Sequence, residues 1–459
     1  MKQFTVPSSA AQAPSSRVAV IGSGVAGLGA CWHLRQQSPQ TSITLFEAGG
    51  HFGGHANTLD LTLEGISHGV DTGFLVYNER TYPALIDLFE QLQVPTAASD
   101  MSFSVQVTQD GAPGLEWSGS NLSSVFAQRR NLLSPGFWGM LADIVRFNKI
   151  ATALARSNHD ANMAQSVADF LQQHAFGARF QNDYLLPMIG CIWSCPVDQM
   201  LQFPMATLIR FCHNHGLLQV SKRPQWHTVQ GGSRQYVQKI LAMLHDARLN
   251  APVQAVARTP AGVCIHSERG GEDFDAVVFA CHPDQALALL GSGASESERA
   301  VLGAIRYQPN LAVLHTDVSV LPKRPVAWAA WNYERASSRS QPHAPVCLHY
   351  LLNRLQPLPW ATPVVVSLNP LRAIDRACIH AEIGYDHPVF DAPAMAAQRQ
   401  VPALQGHLRS WFCGAWCGYG FHEDGLKSGL AASQALLETL AAERGNHQPK
   451  LAVPTASHQ

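Results

Sequence analysis

The chain has 459 residues, of which 46% are hydrophobic, enough to fill the cores of two domains. Its net charge is −1, so it lacks an overall basic excess for nucleic-acid binding, and no nucleic-acid partner is expected. Ten cysteines at scattered spacings, without a C-x-x-C pair, predict reduced thiols and no metal site. No apolar run reaches the roughly 18 residues of a membrane span. We expect a cytoplasmic protein, and peripheral contact with the inner membrane face stays open.

Residues 17–54 have the pattern of a dinucleotide-binding unit. A short apolar strand precedes Gly22, Gly24 and Gly27 in G-x-G-x-x-G spacing, and a second strand ends at Glu47. In this motif the first glycine permits a tight turn, the second lets the backbone approach a pyrophosphate, and the third lets the helix pack close to the strand. The helix N-terminus offers N–H groups to the phosphates. Glu47 is placed to accept hydrogen bonds from an adenosine ribose.

A second glycine pair distinguishes FAD from NAD. The pattern E-A-x-x-x-x-G-G, in which Gly53 and Gly54 follow Glu47, resembles the extended fingerprint of the flavin-containing amine oxidase and phytoene desaturase superfamily. The resemblance implies non-covalent FAD, with the second glycine pair over its pyrophosphate. The superfamily usually has arginine after this pair. Here His55 takes that place, so a fixed charge is replaced by a group that titrates near neutral pH.

Further segments fit the same resemblance. For the stretch that contains Gly73 and Phe74, the resemblance implies that the chain returns toward the flavin ring. An ordinary turn explains these two residues equally well. In the segment 229–285, the resemblance implies that the backbone of Val253 meets the adenine.

The glycine-rich segment 412–429 resembles the last cofactor segment of the superfamily. The resemblance implies flavin contacts for Gly414, Gly425 and Leu426, with a helix N-terminus aimed at the flavin. The usual acid after the first glycine is missing, and Glu423 or Asp424 is a candidate either to replace it or to cap the helix.

The same segment supplies the catalytic candidates. Trp416, Tyr419 and His422 lie on the turn that is expected to face the ring. Aromatic side chains shape a slot over a flavin, and a histidine transfers a proton. Packing of the domain junction by these side chains is an equal alternative.

A helix predicted around 137–149 has two interpretations. Its apolar face is flanked by basic residues, which is typical of a helix lying in a membrane interface. A core-facing helix with a solvated basic side has the same pattern, and we favour it. The apolar face comprises Phe137, Trp138, Leu141, Ile144, Val145 and Asn148, and the flanking residues are Arg129, Arg130, Arg146 and Lys149.

The predicted fold class is α/β: a Rossmann-type FAD-binding domain with a discontinuous α+β substrate domain, as in amine oxidases. The FAD domain is expected to comprise 17–100, 222–300 and 405–440, and the substrate domain 101–221 and 301–404. Polar composition predicts a disordered tail over 1–16, and 441–459 is expected to be a flexible tail.

A narrower resemblance bears on function. The stretches D-T-G-F-L-V-Y-N-E-R-T-Y-P and G-Y-G-F-H-E-D-G resemble a bacterial subgroup of predicted NAD/FAD-binding proteins, which is related to the N-terminal part of plant cyclopropane fatty acid synthases. We therefore expect an FAD-dependent oxidoreductase that oxidises or desaturates a hydrophobic acyl substrate, a fatty acid or lipid. Amine oxidation, redox-neutral double-bond isomerisation and an accessory role beside a lipid methyltransferase partner remain alternatives.

Overall fold

The computed structural model describes residues 16–109, 112–157, 165–193, 197–219, 223–336 and 346–446. The strands in chain order are β1 (Arg17–Ile21), β2 (Ser42–Phe46), β3 (Thr58–Leu63), β4 (Ile66–Asp71), β5 (Tyr77–Asn78), β6 (Thr96–Ser99), β7 (Phe103–Gln109), β8 (Ala112–Ser118), β9 (Trp226–Val229), β10 (Asp246–Arg248), β11 (Val253–Arg258), β12 (Val263–Ser267), β13 (Gly270–Phe274), β14 (Ala276–Phe279), β15 (Tyr307–His315), β16 (Trp331–Ala336), β17 (Cys347–Leu351), β18 (Val365–Leu368), β19 (Ile379–Pro388) and β20 (Ser410–Phe412).

The helices of the described residues lie mostly between these strands. They are α1 (Val25–Gln37), α2 (Pro83–Gln91), α3 (Leu122–Val125), α4 (Pro135–Ser157), α5 (Val167–Gln173), α6 (Ala178–Phe180), α7 (Leu186–Trp193), α8 (Val197–Gln202), α9 (Met205–Asn214), α10 (Arg234–Leu241), α11 (Pro283–Leu290), α12 (Glu296–Gly303), α13 (Leu352–Leu355), α14 (Ala392–Gln398) and α15 (His422–Asn446).

A five-stranded parallel sheet, in the order β10-β2-β1-β14-β20, contains the predicted dinucleotide unit. Successive side chains of β1 point to opposite faces of this sheet, as the period of a strand requires. Val18 and Val20 belong to one apolar cluster, and Ala19 and Ile21 to another. Because both faces are covered, the strand is apolar from Val18 to Ile21, as is usual in parallel sheets.

A seven-stranded sheet in the order β19-β15-β18-β17-β16-β7-β8 forms the second layer system. Its strands pair antiparallel except for β16 and β7, which pair in parallel. Helices α4 to α9 lie between β8 and β9 in the chain. The α/β fold class with a Rossmann-type sheet is therefore confirmed. The exact domain boundaries stay a prediction, although the strands of each sheet come from the ranges expected for that domain.

The predicted tails lie almost wholly outside the described residues, which begin at 16 and end at 446. Helix α15 continues to Asn446, past the expected boundary at 440. Among the described residues, no helix combines the length and apolarity that crossing a bilayer requires.

Candidate functional site

A cavity of about 710 Å³ lies between the two sheets, at the carboxyl edge of the parallel sheet. Ligands of open parallel sheets bind at this edge, because loops from neighbouring strands meet there. We call one part of the cavity the cofactor end, which is lined by Gly22, Ser23, Gly24, Glu47, Gly54, His55 and Val253. The substrate end is lined by Met101, Cys191, Ile192, Trp193, Phe211, His215, Leu217, Trp226, Trp331 and Tyr350.

The first glycine loop has the conformation that its motif predicts. Gly22 has φ +102°, which is strained for any residue with a side chain, and Gly24 is the N-cap of α1. A β-carbon at Gly27 would overlap the carbonyl oxygen of Gly22, so only glycine allows this helix to begin so close to β1. Gly27 itself packs against the loop and does not line the cavity.

The second glycine pair rests directly on the first loop. Gly53 donates its N–H to the carbonyl oxygen of Ser23 at 3.1 Å, and a β-carbon on Gly54 would lie 3.1 Å from the Cα of Gly24. Both glycines have positive φ. The contact leaves a shallow backbone cradle at the N-terminus of α1, where a diphosphate is favoured by free N–H groups and by the helix dipole.

Glu47 reaches the edge of this cradle. Its carboxylate accepts hydrogen bonds from the Ser23 hydroxyl at 2.5 Å, the Ser23 N–H at 3.0 Å and the Gly49 N–H at 2.8 Å. Glu47 and Val253 both line the cavity, and their contacts with the ribose and the adenine stay predictions. The sequence reasoning missed Ser23, which occupies a variable position of the motif.

His55 differs from what the sequence led us to expect. Its ring stacks on Tyr385 with centroids 4.6 Å apart and lies 5.3 Å from the ring of His387. Burial, together with the neighbouring histidines, lowers the pKa of His55 well below its ordinary value, so the side chain is neutral at physiological pH. The expectation that it titrates near neutral pH is therefore wrong for the cofactor-free protein. Its Nε2 is buried and has no hydrogen-bond partner among the described residues.

These features fit the adenosine diphosphate part of FAD. Two glycine loops form a cradle that β-carbons would fill, an acid lies at the ribose position, and the orphaned Nε2 of His55 belongs to a residue that lines the same space. Among the described residues that line the cavity, none is lysine or arginine. The backbone and neutral histidines therefore supply the groups available to the diphosphate.

The two ends of the cavity meet at Phe74 and His422. Phe74 donates its N–H to the carbonyl oxygen of His55 at 2.7 Å, and a β-carbon on the preceding Gly73 would overlap that same oxygen. The Phe74 ring stacks on His422 with centroids 3.7 Å apart. Gly73 and Phe74 both line the cavity, and their contact with the flavin stays a prediction.

The three catalytic candidates differ in their surroundings. Trp416 is only 2% exposed and donates its Nε1–H to the carbonyl oxygen of Cys281 at 3.3 Å, so it is held mainly in the core. Tyr419 is half-buried, and its backbone N–H is bound by Asp424. The Nε2 of His422 lies 3.2 Å from the hydroxyl of Tyr236. Burial lowers the pKa of His422 to about 3, so it is a weak base at neutral pH. All three candidates line the cavity.

The structure separates the C-terminal glycines into two groups. Gly414 lines the cavity, and its N–H donates to the Ser428 hydroxyl at 2.9 Å. Gly425 and Leu426 do not line it. A β-carbon on Gly425 would lie 2.7 Å from Val25, and Leu426 is fully buried. Both residues hold α15 against α1, and their contacts with the flavin stay a prediction.

The two acids near the start of α15 also have structural roles. Glu423 accepts hydrogen bonds at 3.0 Å from the N–H groups of Ala84 and Leu85, so it caps α2. Asp424 accepts the N–H groups of Tyr419 and Phe421 at 3.0 Å and orders the glycine-rich turn. Neither lines the cavity, so the structure favours a structural role for both acids over replacement of the missing one.

Aromatic side chains dominate the substrate end. Phe211 stacks on His215 with centroids 4.0 Å apart, and His215 lies parallel to Trp226 at 6.0 Å. Burial, with a smaller effect of Arg80, lowers the pKa of His215 to about 4, so this histidine is also neutral. Among the described residues that line the whole cavity, Glu47 and Asp386 carry carboxylates and none carries an ammonium or a guanidinium, and neither acid is among the residues that define the substrate end.

A separate buried cluster in the large sheet comprises Glu334, Cys347 and His349, whose ligating atoms lie within 4.8 Å of one another. Burial lowers the pKa of His349, but Cys347 and Glu334 raise it, and the net value is about 9. The Nε of Arg372 lies 2.8 Å from Glu334. Two cationic groups therefore already neutralise the carboxylate and would repel a metal cation. That no metal binds stays a prediction.

The fold and the cavity together are typical of FAD-dependent oxidoreductases. Over residues 25–316, more than half of the chain, the sequence matches the family described as flavin-containing amine oxidoreductases. The chain belongs to this family.

Curated relatives agree with that assignment. The chain is 27% identical over 285 residues to a protein of Mycobacterium tuberculosis that is named as a flavin-containing monoamine oxidase. The match covers 59% of this chain and 58% of the relative, so it spans less than two thirds of the relative's length.

Solved structures share the fold over nearly the whole chain. Cyclohexylamine oxidase from Brevibacterium oxydans is 16% identical, with a TM-score of 0.63 and coverage of 93% of this chain and 100% of that one. A fatty acid isomerase from P. acnes is 15% identical, with a TM-score of 0.63 and coverage of 92% and 99%. A protoporphyrinogen oxidase from Exiguobacterium has a TM-score of 0.61 at 15% identity, with the same coverage of 92% and 99%. At such low identity these structures establish the fold alone.

The site residues predicted from the sequence include none that defines the substrate end and none of the neighbours of His55 on β19. The sequence contained a signal that could have identified His282 as a site residue. His282 follows β14, and the carboxyl ends of parallel strands converge on the ligand. The sequence contained no such signal for Tyr385, because only the tertiary structure brings β19 against the second glycine pair.

Proposed function

We propose that this protein removes a hydride from a hydrophobic acyl chain, a fatty acid or lipid, and leaves a double bond. The observation that carries the proposal is the substrate end, whose described residues are apolar or aromatic apart from the neutral His215. Each methylene group buried there contributes about 0.8 kcal/mol to binding. An ammonium group placed there would lose its hydration without an ion-pair partner.

The protein's residues set up the reaction in the following way. When bound, FAD supplies the acceptor for a hydride from a substrate C–H bond. The aromatic walls hold the acyl chain and exclude water. A C–H bond next to a carbon that had lost a hydride would be strongly acidic, so a weak base such as His422 would suffice to take that proton. The low pKa of His422 suits this order of events and disfavours a mechanism that begins with proton removal.

Amine oxidation is the second candidate, because the curated relative is named as a monoamine oxidase. Two alternatives remain proposals of lower rank: double-bond isomerisation, in which the hydride returns to the same substrate, and an accessory role beside a lipid methyltransferase. The narrower resemblance to the plant synthases, which suggested the methyltransferase partner, stays a prediction.

An anaerobic experiment separates these functions. The FAD-loaded protein is mixed with fatty acids or phospholipids and, in parallel, with amines, while the flavin absorbance is followed and the products are analysed by mass spectrometry. Stoichiometric bleaching with loss of two hydrogens from the acyl chain supports desaturation. A shifted double bond at unchanged mass and without net bleaching indicates an isomerase. Bleaching by amines alone contradicts the proposal.

A further inference from the structure

The surface formed by α3, the outer side of α4 and the segment between them exposes an unusual amount of apolar area. Leucine, tryptophan and valine side chains are between 44% and 89% exposed there. We call this surface the α4 face, and its apolar members are Leu122 (80%), Leu132 (44%), Leu133 (89%), Trp138 (49%) and Val145 (63%). Scattered exposed apolar residues are normal, but five within one short stretch of chain require an explanation.

The α4 face is not a core surface that has been left open. The core side of α4 is occupied by Phe137, Met140 and Phe147, which are almost completely buried. On the outer side, Trp138, Ala142, Val145 and Lys149 follow one another at helical spacing, so they form a continuous stripe. The sequence pattern therefore contained both interpretations. The core-facing helix is correct for one side of α4, and the other side has the composition of an interfacial helix.

Basic residues accompany this apolar stripe. Residues 122–157 contain five arginines or lysines and a single acid, although the whole chain has a net charge of −1. The acid is Asp143, which Arg146 neutralises at 2.8 Å. Arg129 and Lys149 are exposed and form no ion pair among the described residues. The α4 face therefore carries a local positive charge that the protein as a whole does not have.

Trp138, a large apolar side chain of the α4 face, has a fixed orientation. Trp138 donates its Nε1–H to the carbonyl oxygen of Leu132 at 3.0 Å, and its ring lies 5.3 Å from that of Phe126. Fixing an exposed tryptophan in the free protein reduces the conformational entropy that docking would cost.

We propose that the α4 face docks on the surface of a lipid bilayer that contains anionic lipids. Apolar side chains insert at the level of the acyl boundary, and the basic residues contact the headgroups, the two features that bind interfacial helices to membranes. A symmetric dimer through this face is disfavoured, because a twofold axis would bring the basic residues of two copies together.

The position of the face suits a lipid-derived substrate. Helix α4 packs on α9, and α9 carries Phe211 of the substrate end. Docking would therefore place the bilayer one helix layer from the cavity. Docking depends on the exposed apolar side chains and the basic residues of the α4 face, and not on which substrate is oxidised. Loss of docking and absence of desaturation would therefore be distinguishable results.

Vesicle sedimentation with the FAD-loaded protein tests the proposal. We expect the protein to sediment with phosphatidylcholine vesicles that contain phosphatidylglycerol, and at least about tenfold less with phosphatidylcholine alone or at high salt. The double variant Leu133→Ser/Val145→Ser should lose about tenfold or more of its binding. The matched control Ile66→Ser/Leu311→Ser removes two exposed side chains of similar type elsewhere and should bind as the parent does. Retained flavin absorbance shows that each variant is folded.

Two further measurements make the test decisive. Trp138 fluorescence should shift to shorter wavelength on vesicles and be quenched by brominated acyl chains, and Trp138→Phe should lack both changes. Charge variants Arg129→Gln/Lys149→Gln should weaken binding only to the anionic vesicles. Equal sedimentation of the parent and Leu133→Ser/Val145→Ser overturns the proposal. So does light scattering that shows a dimer which only this variant dissociates, because the face would then be a protein interface.

Discussion

The two ends of the cavity differ in whether backbone or side chains form their walls. The cofactor end is formed mainly by backbone, where Gly22, Gly24, Gly53 and Gly54 bring two loops into contact. The substrate end is formed by side chains, such as Phe211 and Trp226, projecting from separate helices and strands. The difference teaches that this fold can retain one cofactor while its substrate changes, because side chains can be exchanged where a close backbone contact cannot.

The strongest test of this comparison adds a single methyl group at Gly27, which packs against the first glycine loop of the cofactor end. Gly27→Ala should lower FAD affinity roughly 100-fold, because overlap with the Gly22 carbonyl costs up to about 3 kcal/mol or displaces the loop. FAD fluorescence quenching gives the dissociation constant. Gly139→Ala is the matched control in α4, since its β-carbon meets no atom within 4 Å. Unchanged FAD affinity in Gly27→Ala would refute the backbone interpretation of the cofactor end.

The substrate end should respond to charge without any change in FAD binding. Met101→Glu should weaken binding of a long-chain fatty acid about 30-fold, because a carboxylate in an apolar pocket costs at least about 2 kcal/mol. The effect should grow with pH as the introduced group ionises. Titration of the flavin spectrum with oleate measures it, and Met101→Leu serves as the control. Loss of FAD together with fatty acid binding would show that the two ends are not independent.

His55 makes the cofactor end sensitive to pH. In the free protein its pKa lies well below the ordinary value, and a nearby diphosphate should raise it, so FAD binding should take up a proton. FAD affinity is then highest at low pH and falls, by up to about tenfold per pH unit, as pH rises above the pKa of the unbound protein and toward that of the bound one.

Titrations between about pH 5.5 and 8.5 test this linkage, and calorimetry in two buffers of different ionisation enthalpy counts the protons. His55→Arg should bind FAD with little pH dependence, whereas His55→Gln should bind weakly at every pH. Groups facing His55 are Tyr385, His387, His282, His422 and His51. A pH-independent affinity in the parent would mean that His55 stays neutral beside the diphosphate.

The smallest expected effect lies outside the cavity, where Glu423 caps α2. Glu423→Gln should destabilise the protein by about 1–2 kcal/mol, because the amide cannot accept both N–H groups at the start of α2. Urea unfolding measures the loss. Lys427→Met removes only the ion pair with Glu423, in which the carboxylate is buried and the ammonium is half-exposed, and should cost less than about 1 kcal/mol. Equal losses in the two variants would show that the ion pair, not the cap, matters.

Sequence reasoning located much of the cofactor end and little of the substrate end. Glu47 and the glycine pairs were found because their roles depend on local backbone geometry, which a short motif determines. The packing role of Leu426 could not be read from the sequence, because helix packing and cofactor contact both require small or apolar residues along the same helix. Phe211, His215 and Trp226 had no recognisable pattern, since aromatic residues at helical or strand spacing are equally typical of an ordinary core.

The sequence by itself therefore determined the Rossmann-type unit and its flavin family, because glycine spacing and strand–helix order are local properties of the chain. The tertiary structure decided which histidines are neutral, because burial of His55, His215 and His422 depends on segments far apart in sequence. It also decided which side of α4 faces solvent, since two faces of one helix can both be apolar and only packing against α6 and α9 selects between them.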